Sequence, residues 1–162
     1  MIAALLALLL SVAPHAQAAS TPVQGPCFQG SCIWFRVLED EIGGAGPGGL
    51  MHRLRVRWWE STHPRGRGER RGTEEQLLIV CSGKRPAMLV RRDGGWWQQP
   101  LDPGQEIGMG PNAGPIALYG WICHGIVLGD ETSPTLTEFY PTRRDMDELE
   151  GRRLARLEDA LR

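Results

Sequence analysis

The sequence predicts a mainly β fold, either a single antiparallel sheet or a small barrel or sandwich, finished by one C-terminal amphipathic helix. Three observations predict it. Short apolar and aromatic runs recur through the middle of the chain, separated by Gly, Pro and Asp-Gly turn signals. The two richest stretches, residues 76–100 and 115–128, hold one cysteine each, so a cross-link between them would pin a core. Beyond residue 142 the apolar period lengthens from that of a strand to that of a helix.

Residues 2–12 are Leu, Ala, Ile and Val apart from Ser11, and Ala16, Ala18 and Ala19 follow as small residues at a cleavage site. This pattern reads as a secretory signal peptide over residues 1–19, although no Lys or Arg precedes it. The run is well short of the roughly 20 apolar residues that cross a bilayer, and no later run approaches that length. Residues 20–162 then suffice for one domain that buries roughly two thirds of its unfolded surface. Export places the chain in the periplasm or outside the cell, where cysteines form disulfides rather than metal thiolates. Cys27 and Cys32 flank a short flexible spacer, whereas Cys81 and Cys123 each sit in an apolar run. The expected pairing is Cys27–Cys32 and Cys81–Cys123.

In chain order, residues 32–38 (Cys-Ile-Trp-Phe-Arg-Val-Leu) read as a strand that exits through the acidic Glu39, Asp40 and Glu41. The glycines of residues 43–49 predict a mobile loop. Residues 51–60 alternate, with Leu54, Val56 and Trp58 on one face and Arg53, Arg55, Arg57 and Trp59 on the other. That is a half-buried strand with a basic outer face. Residues 61–75 follow as an exposed loop, then 76–82 as a central strand. Gly83-Lys84-Arg85-Pro86 turns the chain, and residues 87–92 pair through Asp93-Gly94-Gly95 with Trp96, Trp97 and Gln98. Residues 101–114 are a second Gly and Pro-rich loop, 116–128 the last clear strand, and 135–140 a short edge strand. Residues 143–162 complete the chain as the helix, with Met146, Leu149, Leu154, Leu157 and Leu161 on one face, Thr142 as N-cap and Asp145 three residues on. In a simple meander the connections 43–49, 83–86 and 101–114 emerge at one end of the sheet, which becomes the adaptable surface.

Catalytic chemistry finds little support in the residue types. The string Gln24-Gly25-Pro26-Cys27-Phe28-Gln29-Gly30-Ser31-Cys32-Ile33-Trp34 superficially resembles the nucleophile region of papain-like proteases, but its spacing is wrong. His124 also lies too close, and Asn112 precedes it. His52, His63 and His124 stand at no ligand spacing, so no metal or other cofactor is expected. Ser82-Gly83 lacks the glycine before the serine of a nucleophile elbow. The net charge of −1 disfavours nucleic acid, and the excess of Arg over its single Lys reads as codon bias.

What remains is a binding surface. Arg53, Arg55, Arg57, Trp59, Trp96 and Trp97 form a cation–aromatic set suited to an anionic glycan or an envelope protein. The bland alternative is that one tryptophan of each pair is core and the other is covered by arginine stems. The expected protein is a monomeric, non-enzymatic binding module. The rival reading is a small hydrolase or redox enzyme built from Cys123, His124, Asp130 and Glu131.

At Val80-Cys81-Ser82-x-x-Arg85-Pro86-Ala87 and Tyr119-x-x-x-Cys123-His124-Gly125 the chain resembles small exported alphaproteobacterial proteins of unknown function. It is more distantly similar to surface-adhesin-E-like domains. The resemblance spans residues 76–125, implies a β-rich periplasmic protein and carries over no catalytic residue.

Overall fold

The computed structural model describes residues 21–104, 112–128, 135–140 and 150–162. Seven strands form one antiparallel sheet in strict sequence order: β1 (Val23–Phe28), β2 (Ser31–Gly46), β3 (Gly49–Ser61), β4 (Thr73–Cys81), β5 (Ala87–Arg92), β6 (Gly95–Pro100) and β7 (Arg152–Leu154). The mainly β class and the single antiparallel sheet are as expected, and the strand order is a simple meander. The leader and the proposed cleavage site lie outside the described residues.

The long β2–β3 ribbon replaces the mobile loop expected at 43–49. Ala45 pairs with Leu50 and Gly46 with Gly49, leaving Pro47 and Gly48 as the turn. The glycines are there because the C-terminal residues lie on them. A Cβ on Gly48 would stand 2.8 Å from the main chain of Leu161, and the Gly48 N–H donates to the Leu161 carbonyl at 2.7 Å. Gly49, at φ 133°, would drive a Cβ to 2.2 Å from the Cys81 carbonyl oxygen. Asp93 and Gly94 make the β5–β6 turn with φ values of 50° and 73°, the left-handed pair that a two-residue hairpin requires.

Residues 116–128 are not a strand. Ala113–His124 is an α-helix, α1, with apolar side chains on all its faces, and such a run has no period to separate helix from buried strand. Its end is marked by Gly125 at φ 68°, whose N–H bonds the Trp121 carbonyl at 3.0 Å in a left-handed cap. Residues 135–140 are likewise not an edge strand. They hold a one-turn helix, α2 (Leu136–Phe139), and the Glu138 carboxylate accepts the Thr135 N–H at 3.3 Å, the return bond of a capping box.

The C-terminal helix expected over 143–162 is corrected where it is described. Arg152, Arg153 and Leu154 pair with Gln98, Trp97 and Trp96 as β7, and Leu157–Leu161 is a short 3-10 helix. The free edge of β6 offers ladder hydrogen bonds that an isolated helix turn cannot match, and Gly151 weakens helix at the start of this segment. Met146, Leu149, Thr142 and Asp145 lie outside the described residues.

The sheet is covered on both faces. On one side α1 and α2 pack through Ile116, Ala117, Leu118, Tyr119 and Leu136 onto Phe35, Val37, Leu54, Val56, Leu77 and Ile79. On the other, Leu154, Ala160 and Leu161 pack onto Met51, Leu78, Val80, Ala87 and Leu89. Both expected disulfides are formed. Cys27–Cys32 staples the β1–β2 hairpin and Cys81–Cys123 ties β4 to α1.

Candidate functional site

The β3 arginines point outward as their alternation requires, but two of them are consumed by neighbouring carboxylates. Arg55 donates to Glu39 at 2.6 Å and to Glu74 at 3.1 Å. Arg57 bonds Glu74 and stands 3.6 Å from Glu69, which also accepts from Arg36 at 2.8 Å. The Arg57 hydrogen bond, seconded by Arg55, holds the Glu74 carboxyl below its usual range, and Glu39 then Glu74 raise the Arg55 guanidinium. Only Arg53 of the three is exposed without an ion pair among the described residues. Trp59 is buried rather than presented. It stacks on Trp34 at a centroid distance of 6.3 Å and donates its indole N–H to the Gly66 carbonyl at 2.7 Å.

Trp96 and Trp97, on opposite faces of the sheet, each meet a different set of arginines. Arg91 lies 4.7 Å over the Trp96 ring and Arg92 lies 5.6 Å over Trp97. The cross-strand partner of Trp97 is Arg153, whose guanidinium reaches over Gly95, and Arg152 bonds Gln98 through Nε at 3.0 Å. All four arginines are exposed, and none is in an ion pair among the described residues, although Asp93 and Glu150 are near in sequence. The rings are half-buried and their outer faces are taken by guanidinium groups. A ligand therefore meets oriented N–H donors, with the tryptophans holding those donors in place.

A second feature lies at the opposite end of the meander, where the β2–β3 and β4–β5 turns meet the C-terminal residues. A cleft of about 520 Å³ is lined by Pro47, Gly48, Gly49, Cys81, Ser82, Gly83, Lys84, Arg85 and Arg162. The Ser82 hydroxyl oxygen accepts the main-chain N–H of Lys84 at 3.3 Å and of Arg85 at 3.0 Å. Beneath it, the Tyr119 hydroxyl lies 3.1 Å and the Tyr140 hydroxyl 3.3 Å from the Ser82 carbonyl; the two phenols bond each other, and His124 Nε2 is 3.0 Å from Tyr140. Burial pushes both phenols up and the His124 imidazole down.

Among the described residues this tyrosine–histidine cluster has no free thiol beside it. Cys123, the sulfur of the rival enzyme reading, is bonded to Cys81, and Asp130 and Glu131 lie outside the described residues. His52 bonds Asp40 at 2.8 Å, with no hydroxyl or thiol bonded to it among the described residues. His63 accepts the Arg65 N–H at 3.1 Å within its own loop. Among the described residues no three metal-ligating side chains come together.

Sequence reasoning missed Arg91, Arg92, Arg152 and Arg153. The first two were legible as flanks of the Asp-Gly turn, whereas the last two were assigned to a helix. No protein-family model, curated protein or solved structure matches the chain.

Proposed function

We propose that the chain is an exported, disulfide-stapled binding module of the cell envelope, working in the periplasm as a monomer and without catalysis of its own. It holds an anionic envelope glycan along the sheet edge made by β5, β6 and β7, where Arg91 and Arg152 project from one face and Arg92 and Arg153 from the other. Four exposed arginines without carboxylate partners among the described residues carry this reading, and they stand in contrast to Arg55 and Arg57 of β3, which are neutralised. A guanidinium is always charged, is weakly hydrated and presents a fixed fork of donors to a carboxylate. Several such groups along one sheet edge suit a ligand whose charge repeats. The two disulfides and the absence of a long apolar helix among the described residues agree with an exported protein.

The test is retention of the protein on immobilised polygalacturonate across a salt gradient. The wild type is retained and elutes earlier as salt rises. A variant carrying R91Q, R92Q, R152Q and R153Q passes through, whereas R53Q is retained like the wild type. Equal retention of all three proteins removes the patch from the function.

A further inference from the structure

We infer that the cleft between the β2–β3 and β4–β5 turns is a second, separate recognition site that takes an acidic peptide segment of a partner protein. This goes beyond the glycan reading, because the cleft and the arginine patch lie at opposite ends of the sheet. The lining side chains supply charge of one sign, with Lys84, Arg85 and Arg162 as cations and no acidic side chain among them. Arg162 shares Asp159 at 3.1 Å, while Lys84 and Arg85 are exposed and in no ion pair among the described residues. The remaining lining is Gly48, Gly49, Gly83, Ser82, Pro47 and Cys81.

That composition selects among anionic ligands. A sugar ring is ordinarily held on an aromatic face, and no aromatic side chain lines the cleft. Bare main chain at Gly83, with open space where a Cβ would stand, instead lets another backbone approach closely. A volume of about 520 Å³ is far larger than a single ion needs and falls within the range of ligand pockets. A short extended peptide with acidic side chains satisfies all three features, its main chain against Gly83 and its carboxylates on Lys84 and Arg85.

The walls are also fixed before any ligand arrives. Gly48 is bonded to Leu161, Ser82 draws in the N–H groups of Lys84 and Arg85, and Tyr119 and Tyr140 approach the Ser82 carbonyl. The Cys81–Cys123 bond anchors the floor to α1. Little conformational freedom is lost when a ligand docks on such walls, which favours binding.

Amide chemical shifts of the full-length, disulfide-intact protein, titrated with an acetylated and amidated tetraglutamate peptide, test this site. Saturable shifts are expected at Gly48, Gly49, Ser82 and Gly83. The K84Q/R85Q variant should bind at least about tenfold more weakly, the loss of two charge-assisted bonds, while R91Q/R92Q binds as the wild type. Tetralysine should produce no shifts, and trigalacturonate and inorganic phosphate should produce only weak ones at these amides. Absence of saturable shifts overturns the site. Equal affinity in K84Q/R85Q overturns the role of the cations, and trigalacturonate or phosphate binding as tightly as the peptide overturns the ligand class. Both lysine-to-glutamine and arginine-to-glutamine changes are on an exposed turn, and an unchanged melting temperature verifies that the variant is folded.

Discussion

Two phenols converge on one carbonyl oxygen, and the His124 ring backs one of them. The Ser82 carbonyl, the two phenols and the His124 ring are satisfied together if Tyr119 donates to Ser82, Tyr140 donates to Tyr119, and His124 donates from Nε2 to Tyr140. Burial makes the charged forms of all three rings costly, and the pH dependence follows from its sign. His124, lowered from about 6.5, contributes stability that is complete above that value and is lost as pH falls through the lower folded-state value. Tyr119 and Tyr140, raised from about 10, contribute stability that is complete below that value. It is lost as pH rises, because the unfolded chain ionises first. Denaturation midpoints should therefore be flat between these limits and fall on either side. Tyr119→Phe should cost about 1–2 kcal/mol at neutral pH, the worth of buried hydrogen bonds, and should flatten the alkaline fall. An alkaline limb unchanged in the variant would show that Tyr119 does not set it.

The C-terminal strand and 3-10 helix act as a cover for one face of the sheet. Leu154 is 8% exposed and Leu161 6%, against Leu78, Val80 and Leu89 at 0%. Leu154→Ala should cost about 2 kcal/mol, the lower end of the range for a buried leucine because the site is at the sheet edge. Ending the chain at residue 149 should lower the melting temperature far more, since Met51, Leu78, Val80 and Leu89 then lose their cover. A melt unchanged by that truncation would contradict the packing. Gly49→Ala tests the tight ribbon independently. The substituted Cβ would meet the Cys81 carbonyl at 2.2 Å in a backbone conformation that L side chains rarely adopt. The melting temperature of this variant is expected to fall markedly, while Gly83→Ala, with open space around its Cβ, leaves it near the wild-type value.

Across the whole molecule the two disulfides differ in what they constrain. Cys27–Cys32 spans five residues within one hairpin, whereas Cys81–Cys123 spans 42 and joins the sheet to the helix that covers it. In the chain-entropy account they contribute about 2 and about 4 kcal/mol respectively. Replacing Cys81 and Cys123 together by Ser should therefore destabilise the protein about twice as much as replacing Cys27 and Cys32, measured by urea midpoints. Native protein should show no thiol reactive at Cys123, and a peptide map without reductant should recover both bonds. A reactive Cys123 would revive the enzyme reading.

Local pattern by itself determined the strand-rich class, the alternation of β3, the Asp93-Gly94 hairpin and the cysteine pairing, because each follows from neighbours in sequence or from the even count of cysteines. The Thr135-to-Glu138 cap and the Gly125 stop were equally local, and both were readable signals of helix in stretches assigned to strand. Tertiary structure decided the rest. An apolar run such as residues 116–124 fits a buried helix or a buried strand alike, and only its seat over Phe35, Leu54 and Ile79 selects helix. Residues 152–154 became a strand because β6 had an open edge, and a pairing partner some 50 residues away leaves no trace in local period. For the same reason the unpaired arginines were misplaced. Which arginine is free depends on which carboxylates the fold brings across the sheet, and here Glu39, Glu69 and Glu74 reach β3 and leave Arg91, Arg92, Arg152 and Arg153 to solvent.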